Sequence, residues 1–297
     1  MAWYDDDSWV TKALGPNIST IIIVTLIAFA LPLLVHSYLY RARTFATLPT
    51  FLLLGPSGAG KTSLLCLFDN GKPSETRISQ TPLSATITLP SNATARSSKY
   101  RSENDPSMKK NRQFQLVDIP GHGKLRHFTL EHITKLQNLK GIIFLVDTAD
   151  LSTGSGAQSD NGLLEAAEYL HDVLLVLQKR YTSAKTSKGP KEIPFLIAGN
   201  KQDLFTALPT PLVKAALEAE ISKVRETKSK GLLDSGIGMG EDAVEEEREW
   251  LGDGGEGKFQ FKQMEEVNVP IEVICGNVLG DGTNGVEKWW QWIGDQM

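Results

Sequence analysis

Eight consecutive residues, Gly55-Pro56-Ser57-Gly58-Ala59-Gly60-Lys61-Thr62, place three glycines, an ammonium and a hydroxyl where a chain can wrap an oxyanion. Their spacing is G-x-x-x-x-G-K-[ST], the pattern of a phosphate-binding loop. Glycines let backbone N–H groups turn inward around phosphate oxygens, and a helix that starts here adds the partial positive charge of its N-terminus. Lys61 is expected to reach the β- and γ-phosphates and the Thr62 hydroxyl to ligate Mg²⁺. Gly55, Ser57, Gly58, Ala59, Gly60 and Ser63 are expected to complete the anion's surroundings. The chemistry is nucleotide binding.

Two further clusters fit the same ligand. Asp118-Ile119-Pro120-Gly121-His122 follows an apolar run. A carboxylate there holds Mg²⁺ through water, and Gly121 offers a bare backbone N–H to the γ-phosphate. Asn200-Lys201-Gln202-Asp203 follows another apolar run. The Asp203 carboxylate can accept paired hydrogen bonds from the ring N–H and amine of guanine, a donor pair that adenine lacks on that edge. Lys201 can lay its stem over the base and Asn200 can brace the loops. The ligand is therefore expected to be GTP or GDP.

These residues need strand ends to hold them. Candidate strands are 50–54, 85–89, 113–118, 141–147, 193–198 and 271–275, and candidate helices start near Lys61, Lys124, Leu163, Pro211 and Asn284. Apolar strand alternating with helix predicts an α/β fold, a mostly parallel six-stranded sheet with helices on both faces. Ligands of such sheets sit at the carboxyl ends of the strands, where the marked residues fall. Stretches 91–112, basic and Ser/Asn-rich, and 226–262, Gly-rich with an acidic run, interrupt the alternation and read as flexible insertions. The segment 182–191 reads as a further flexible link between a helix and the fifth strand.

The chain has 297 residues, 41% hydrophobic and 22% charged, enough for a substantial core. Its net charge of −4 gives no expectation of direct nucleic-acid binding. The two cysteines, Cys66 and Cys275, lie in apolar elements and read as reduced thiols. No Cys/His cluster has metal-ligand spacing.

Residues 18–40 contain no Asp, Glu, Lys or Arg. As a helix they would extend ~34 Å, enough to cross a bilayer. Arg41 and Arg43 follow, whereas Asp5, Asp6 and Asp7 precede. The positive-inside rule then puts a short tail, 1–17, outside or in a lumen. A linker, 41–47, and the domain, 48–297, fall in the cytosol. Asn17 formally starts a glycosylation acceptor but abuts the membrane.

Taken together, the three clusters resemble those of the Ras-like GTPases over essentially 48–297. Within that group the chain is similar to the β-subunits of the signal recognition particle receptor. The closer likeness rests on the span directly ahead of the domain, on Gln80-Thr81, and on Val117-Asp118-Ile119-Pro120-Gly121-His122-Gly123-Lys124-Leu125-Arg126. It implies that Thr81 closes over Mg²⁺ and the γ-phosphate, with Thr86 as the rival for that place. It implies a partner, the receptor's α-subunit, with ribosome or translocon as further neighbours, and a single-pass location in the endoplasmic reticulum membrane.

Some positions depart from the group. Cys275-Gly276-Asn277 stands at the base-contacting S-A-K position, so Cys275 and Gly276 are expected to offer backbone N–H groups to guanine. His122 occupies the place of the glutamine that orients the attacking water, and is the candidate catalytic residue for hydrolysis. Ser57 adds bulk near the γ-phosphate where a glycine is common. A switch with very slow hydrolysis is the expected function, against an Arf/Sar-type trafficking GTPase and a constitutively loaded membrane tether.

Overall fold

The computed structural model describes residues 18–45, 48–90, 112–136, 138–152, 160–183, 191–235, 251–252, 257–279 and 284–297. They fall into two units that divide between Leu48 and Pro49.

The first unit contains α1 (Ile18–Phe45), a helix of 28 residues with Pro32 inside it. Ile21, Ile22, Leu26, Ile27, Phe29, Leu31, Leu33, Leu34 and Val35 are each at least half exposed along it. Counting only the described side chains, no helix is long and apolar enough to cross a membrane. The side chains of residues 19, 20, 23, 24 and 36–45 lie outside that count. The helix continues through 41–45, so the expected linker is helical for most of its length.

The second unit is built on a six-stranded sheet in the order β2-β3-β1-β4-β5-β6. Its strands are β1 (Thr50–Leu54), β2 (Leu83–Thr88), β3 (Gln113–Asp118), β4 (Leu139–Asp147), β5 (Phe195–Asn200) and β6 (Ile271–Cys275). All neighbours are parallel except β2 and β3. The helices are α2 (Lys61–Asn70), α3 (His127–Lys135), α4 (Asp160–Thr182), α5 (Thr210–Ser235) and α6 (Asn284–Gln296).

The sheet is apolar on both faces because both are covered, which is why its central strands read as unbroken apolar runs. On one face Leu52, Leu54, Ile142, Phe144, Val146 and Ile197 pack with Tyr169, Leu170 and Leu174 of α4 and Leu217 and Ile221 of α5. On the other, Phe51, Leu53, Ile143, Leu145 and Leu196 pack with Leu64 and Leu65 of α2 and Trp289, Trp292 and Ile293 of α6. Successive β1 residues thus serve opposite cores, as the two-residue period of a strand requires. Leu52 is 0% exposed, and truncating such a residue to alanine costs about 2–5 kcal/mol.

Three strands match their expected limits; β2, β4 and β5 begin or end two residues away from them. The stretch 226–262 departs further from expectation. Its first ten residues complete α5, and Leu251, Phe259 and Phe261 are buried in the first core. Arg225 of α5 anchors the segment by donating to the carbonyls of Leu251 and Gly257. The apolar residues scattered among the glycines were the signal, masked by the acidic run. Residues 236–250 and 253–256 of that stretch, with 91–111, 184–190 and the tail 1–17, lie outside the described residues.

Candidate nucleotide-binding site

Parallel strands β1, β3, β4 and β5 deliver their carboxyl ends to one edge, and the loop after β1 turns there into α2. Gly60 precedes α2 with φ 96°, and Gly58 has φ 82°, a region where a Cβ is strained. Glycine at 60 is required twice over, since a Cβ would also meet Asn200 Nδ2 at 2.5 Å.

Lys61 is buried at the head of α2 and folds back over the loop. Its Nζ donates to Gly55 O at 2.9 Å and Pro56 O at 2.8 Å. Burial lowers its pKa to about 8, against the opposing pull of Asp118 and Glu165. Next to it, Thr62 Oγ1 donates to Asp118 Oδ2 at 2.6 Å. Asp118 ends β3 opposite Leu53, which sets its carboxylate beside the loop. Burial pushes its pKa up, while the Thr62 hydrogen bond and the Lys61 charge work the other way.

The other carboxylate oxygen, Asp118 Oδ1, is buried and has no hydrogen-bond partner. A buried acceptor of this kind is costly unless something donates to it. Water on a hard cation held by Thr62 would satisfy it, and the residues therefore fit Mg²⁺. Among the described residues no group of three or more His, Cys, Asp or Glu could hold a metal.

Gly121 closes the loop from the β3 side. A Cβ there would meet Gly55 O at 2.3 Å, Lys61 Nζ at 2.5 Å and Pro56 C at 2.7 Å. Asn200 ties the remaining loops together: Nδ2 donates to Ala59 O at 2.8 Å, and Oδ1 accepts from Val278 N–H at 2.9 Å. Lys201 has φ 61° and pairs through Nζ with Asp147 Oδ2. That pairing holds the Lys201 stem along the cavity it lines.

Between these groups lies a cavity of about 340 Å³. Ser57, Gly58, Gly60, Lys61, Thr62, Ser63, Gly121, Asn200, Lys201 and Asp203 line it, all of them expected from the sequence. Gly55 and Ala59 support the loop from behind through their carbonyls. Asp118 acts through Thr62.

Other expected residues stand elsewhere. Thr81 follows the lining segment 76–79 without joining the lining, and Thr86 pairs with Gln115 in the sheet. Cys275 is packed behind β5, where a Cβ on Gly199 would meet its Sγ at 2.5 Å. The Gly276 N–H is spent on Gly199 O at 2.7 Å, so it is not free for a base. Val278 and Leu279 take that side of the cavity instead. His122 caps the short turn Gly123–Leu125, its Nδ1 accepting from Lys124 N–H at 3.3 Å, and is outside the lining. Thr76, Arg77, Ile78, Ser79 and Leu204 complete the wall and were not anticipated. Thr76 Oγ1 and Ser63 Oγ, 3.0 Å apart, join that segment to α2 by a contact that residue spacing does not reveal.

Comparison with known proteins agrees with this geometry. The family described as "Signal recognition particle receptor beta subunit" matches residues 46–269. The signal recognition particle receptor subunit beta of Saccharomyces cerevisiae is 31% identical over 250 residues, 84% of each chain. Among solved structures, the SRb-GTP/SRX complex from Chaetomium thermophilum superposes with a TM-score of 0.66 at 36% identity, covering 84% of this chain and all of that one. SRb-GDP-Mg from the same organism gives 0.60 at 38% identity, with 84% and 99% covered. The phosphate loop, the Asp118 strand end, the guanine-side loop and these likenesses converge on one conclusion: the chain belongs to the signal recognition particle receptor β-subunit family.

Proposed function

We propose that the chain is a membrane-anchored guanine-nucleotide switch that docks the receptor's α-subunit in its GTP form, for targeting of secretory proteins to the endoplasmic reticulum. The observation that carries the nucleotide reading is the pairing of a buried Lys61 with Thr62–Asp118, whose second carboxylate oxygen awaits a donor. The Chaetomium relatives, solved as SRb-GTP/SRX and SRb-GDP-Mg, support GTP, GDP and Mg²⁺ as ligands and a complex made in the GTP form. The membrane reading rests on α1, whose exposed apolar side chains need an apolar surrounding.

In this reading Lys61 exchanges the Gly55 and Pro56 carbonyls for phosphate oxygens. Thr62 keeps its proton on Asp118 and turns a lone pair outward. Mg²⁺, held by the Thr62 hydroxyl and through water by Asp118, would offset phosphate charge. Gly121 presents its N–H where the γ-phosphate ends, so the segment that follows it senses whether that phosphate is present. Asp203 selects guanine. His122 caps its own turn through Nδ1, so only Nε2 is left to meet the attacking water, and intrinsic hydrolysis is expected to be very slow.

The decisive substitution is Asp203→Asn. It replaces an acceptor facing guanine's amine by a donor, and GTP affinity is expected to fall by about 2–4 kcal/mol. Xanthosine triphosphate, with oxygen in place of that amine, should regain much of the loss. Capture of the α-subunit by the full chain should follow GTP in the wild type and xanthosine triphosphate in the variant. Unchanged GTP affinity, or equal capture with GDP and GTP, sinks the proposal.

A further inference from the structure

Besides Lys61 and Lys201, a third cation lines the nucleotide cavity, and neither the phosphate-loop pattern nor the guanine-side loop accounts for it. Arg77 belongs to the wall segment 76–79 between α2 and β2, with Thr76, Ile78 and Ser79. The Thr76–Ser63 hydroxyl contact of 3.0 Å fixes the start of this segment against the first turn of α2, the helix end that faces phosphate. Arg77 itself is exposed and forms no ion pair among the described residues.

Charge counting shows what the site lacks. A magnesium nucleoside triphosphate keeps a net charge of about −2. Lys201 is committed to Asp147, and Asp203 adds a negative charge at the base side. Lys61 is then the sole cation of the loop itself, and Asp118 lies close enough to offset part of its charge. A guanidinium on the adjoining wall supplies the missing positive charge. Its planar donors match phosphate oxygens two at a time.

We propose that Arg77 is a phosphate-binding residue supplied in cis, held near the nucleotide's phosphate chain by the Thr76–Ser63 contact. The inference rests on the guanine-nucleotide reading of the same cavity and adds a residue to it. A solvated surface arginine without a ligand is the alternative that the test must separate.

The test compares the full chain in detergent micelles with Arg77→Ala and Arg77→Lys, titrating GTP, GDP and guanosine at two salt concentrations. Loss of a charge-assisted phosphate contact should lower GTP affinity about ten- to a hundredfold in the alanine variant. The loss should be smaller for GDP and absent for guanosine, and the salt dependence of GTP binding should flatten. The lysine variant should recover part of the affinity through its point charge. Equal GTP affinity in wild type and Arg77→Ala overturns the proposal. So does an equal loss for GTP and guanosine, which would report collapse of the wall instead of a missing phosphate contact. If the unaltered chain binds no guanine nucleotide, the underlying reading falls and this one with it.

Discussion

Lys61 combines two demands that pull in opposite directions: burial beside the loop and, in the proposed function, a charge that meets phosphate. Burial holds its ammonium at about 8. Phosphate oxygens bonded to the same group favour the charged form and raise that value. Nucleotide binding above pH 8 therefore takes up a proton. Affinity is expected to be flat below pH 8 and to fall by up to about tenfold per pH unit above it, until the pKa of the bound state is reached. The stability of the nucleotide-free protein runs the other way. Its lysine is depressed from the ordinary 10.5 of a solvated lysine to about 8, so the unfolded chain binds more protons between those values. Stability from this group rises with pH across that window. Isothermal titration from pH 7 to 9.5 in buffers of different ionisation heat would measure the proton uptake directly. A pH-independent affinity would remove Lys61 from the phosphate site.

The loop after β3 works as a unit. Gly121 lies against the β1 loop, and His122 and Arg126 fix the segment that follows. Arg126 stacks over Tyr169 of α4 at 4.8 Å and faces Glu165 at 3.6 Å, while Tyr169 shares a 2.6 Å hydrogen bond with Thr129 of α3. Gly121→Ala would push a methyl into the Gly55 carbonyl and the Lys61 ammonium, and the backbone atoms cannot swing aside. Overpacking of this kind costs about 1–3 kcal/mol. We expect the variant to fold, to melt earlier, and to load GTP more weakly than GDP because the displaced loop is the one proposed to meet the γ-phosphate. Equal loss for both nucleotides would mean that Gly121 serves packing alone. This unit also shows how much was legible beforehand. Strand ends, glycines and the separate assignments of Thr62 and Asp118 to Mg²⁺ follow from local pattern, whereas their direct hydrogen bond does not. The wall at 76–79 and the substitution of Val278 and Leu279 for Cys275 and Gly276 depend on how distant loops meet, which no spacing encodes. Conversely, the hidden core residues Leu251, Phe259 and Phe261 sat in a stretch whose glycines and acids outweighed them.

At the scale of the whole molecule, the sequence joins an apolar helix and an α/β domain with few residues between them. Among the described side chains of α1, ten large apolar ones from Ile18 to Val35 are at least half exposed, far more apolar surface than one helix presents to water without cost. Arg41 and Arg43 lie on the domain side of the uncharged run. By the positive-inside rule, charge bias of that kind favours a cytosolic place for its flank, and the proposed topology sets the flank with Asp5, Asp6 and Asp7 on the other side. Protease added outside sealed microsomes should therefore digest the domain from residue 48 onward and leave a protected fragment of little more than the helix and tail. Removing both arginines by Arg41→Ser and Arg43→Ser should weaken that preference and yield a mixed population, part of it carrying a domain that survives the protease until detergent is added. Extraction at alkaline pH separates the two claims involved. A chain released from the membrane fraction would refute the span itself, whereas a retained chain whose domain is wholly protected would refute only its orientation.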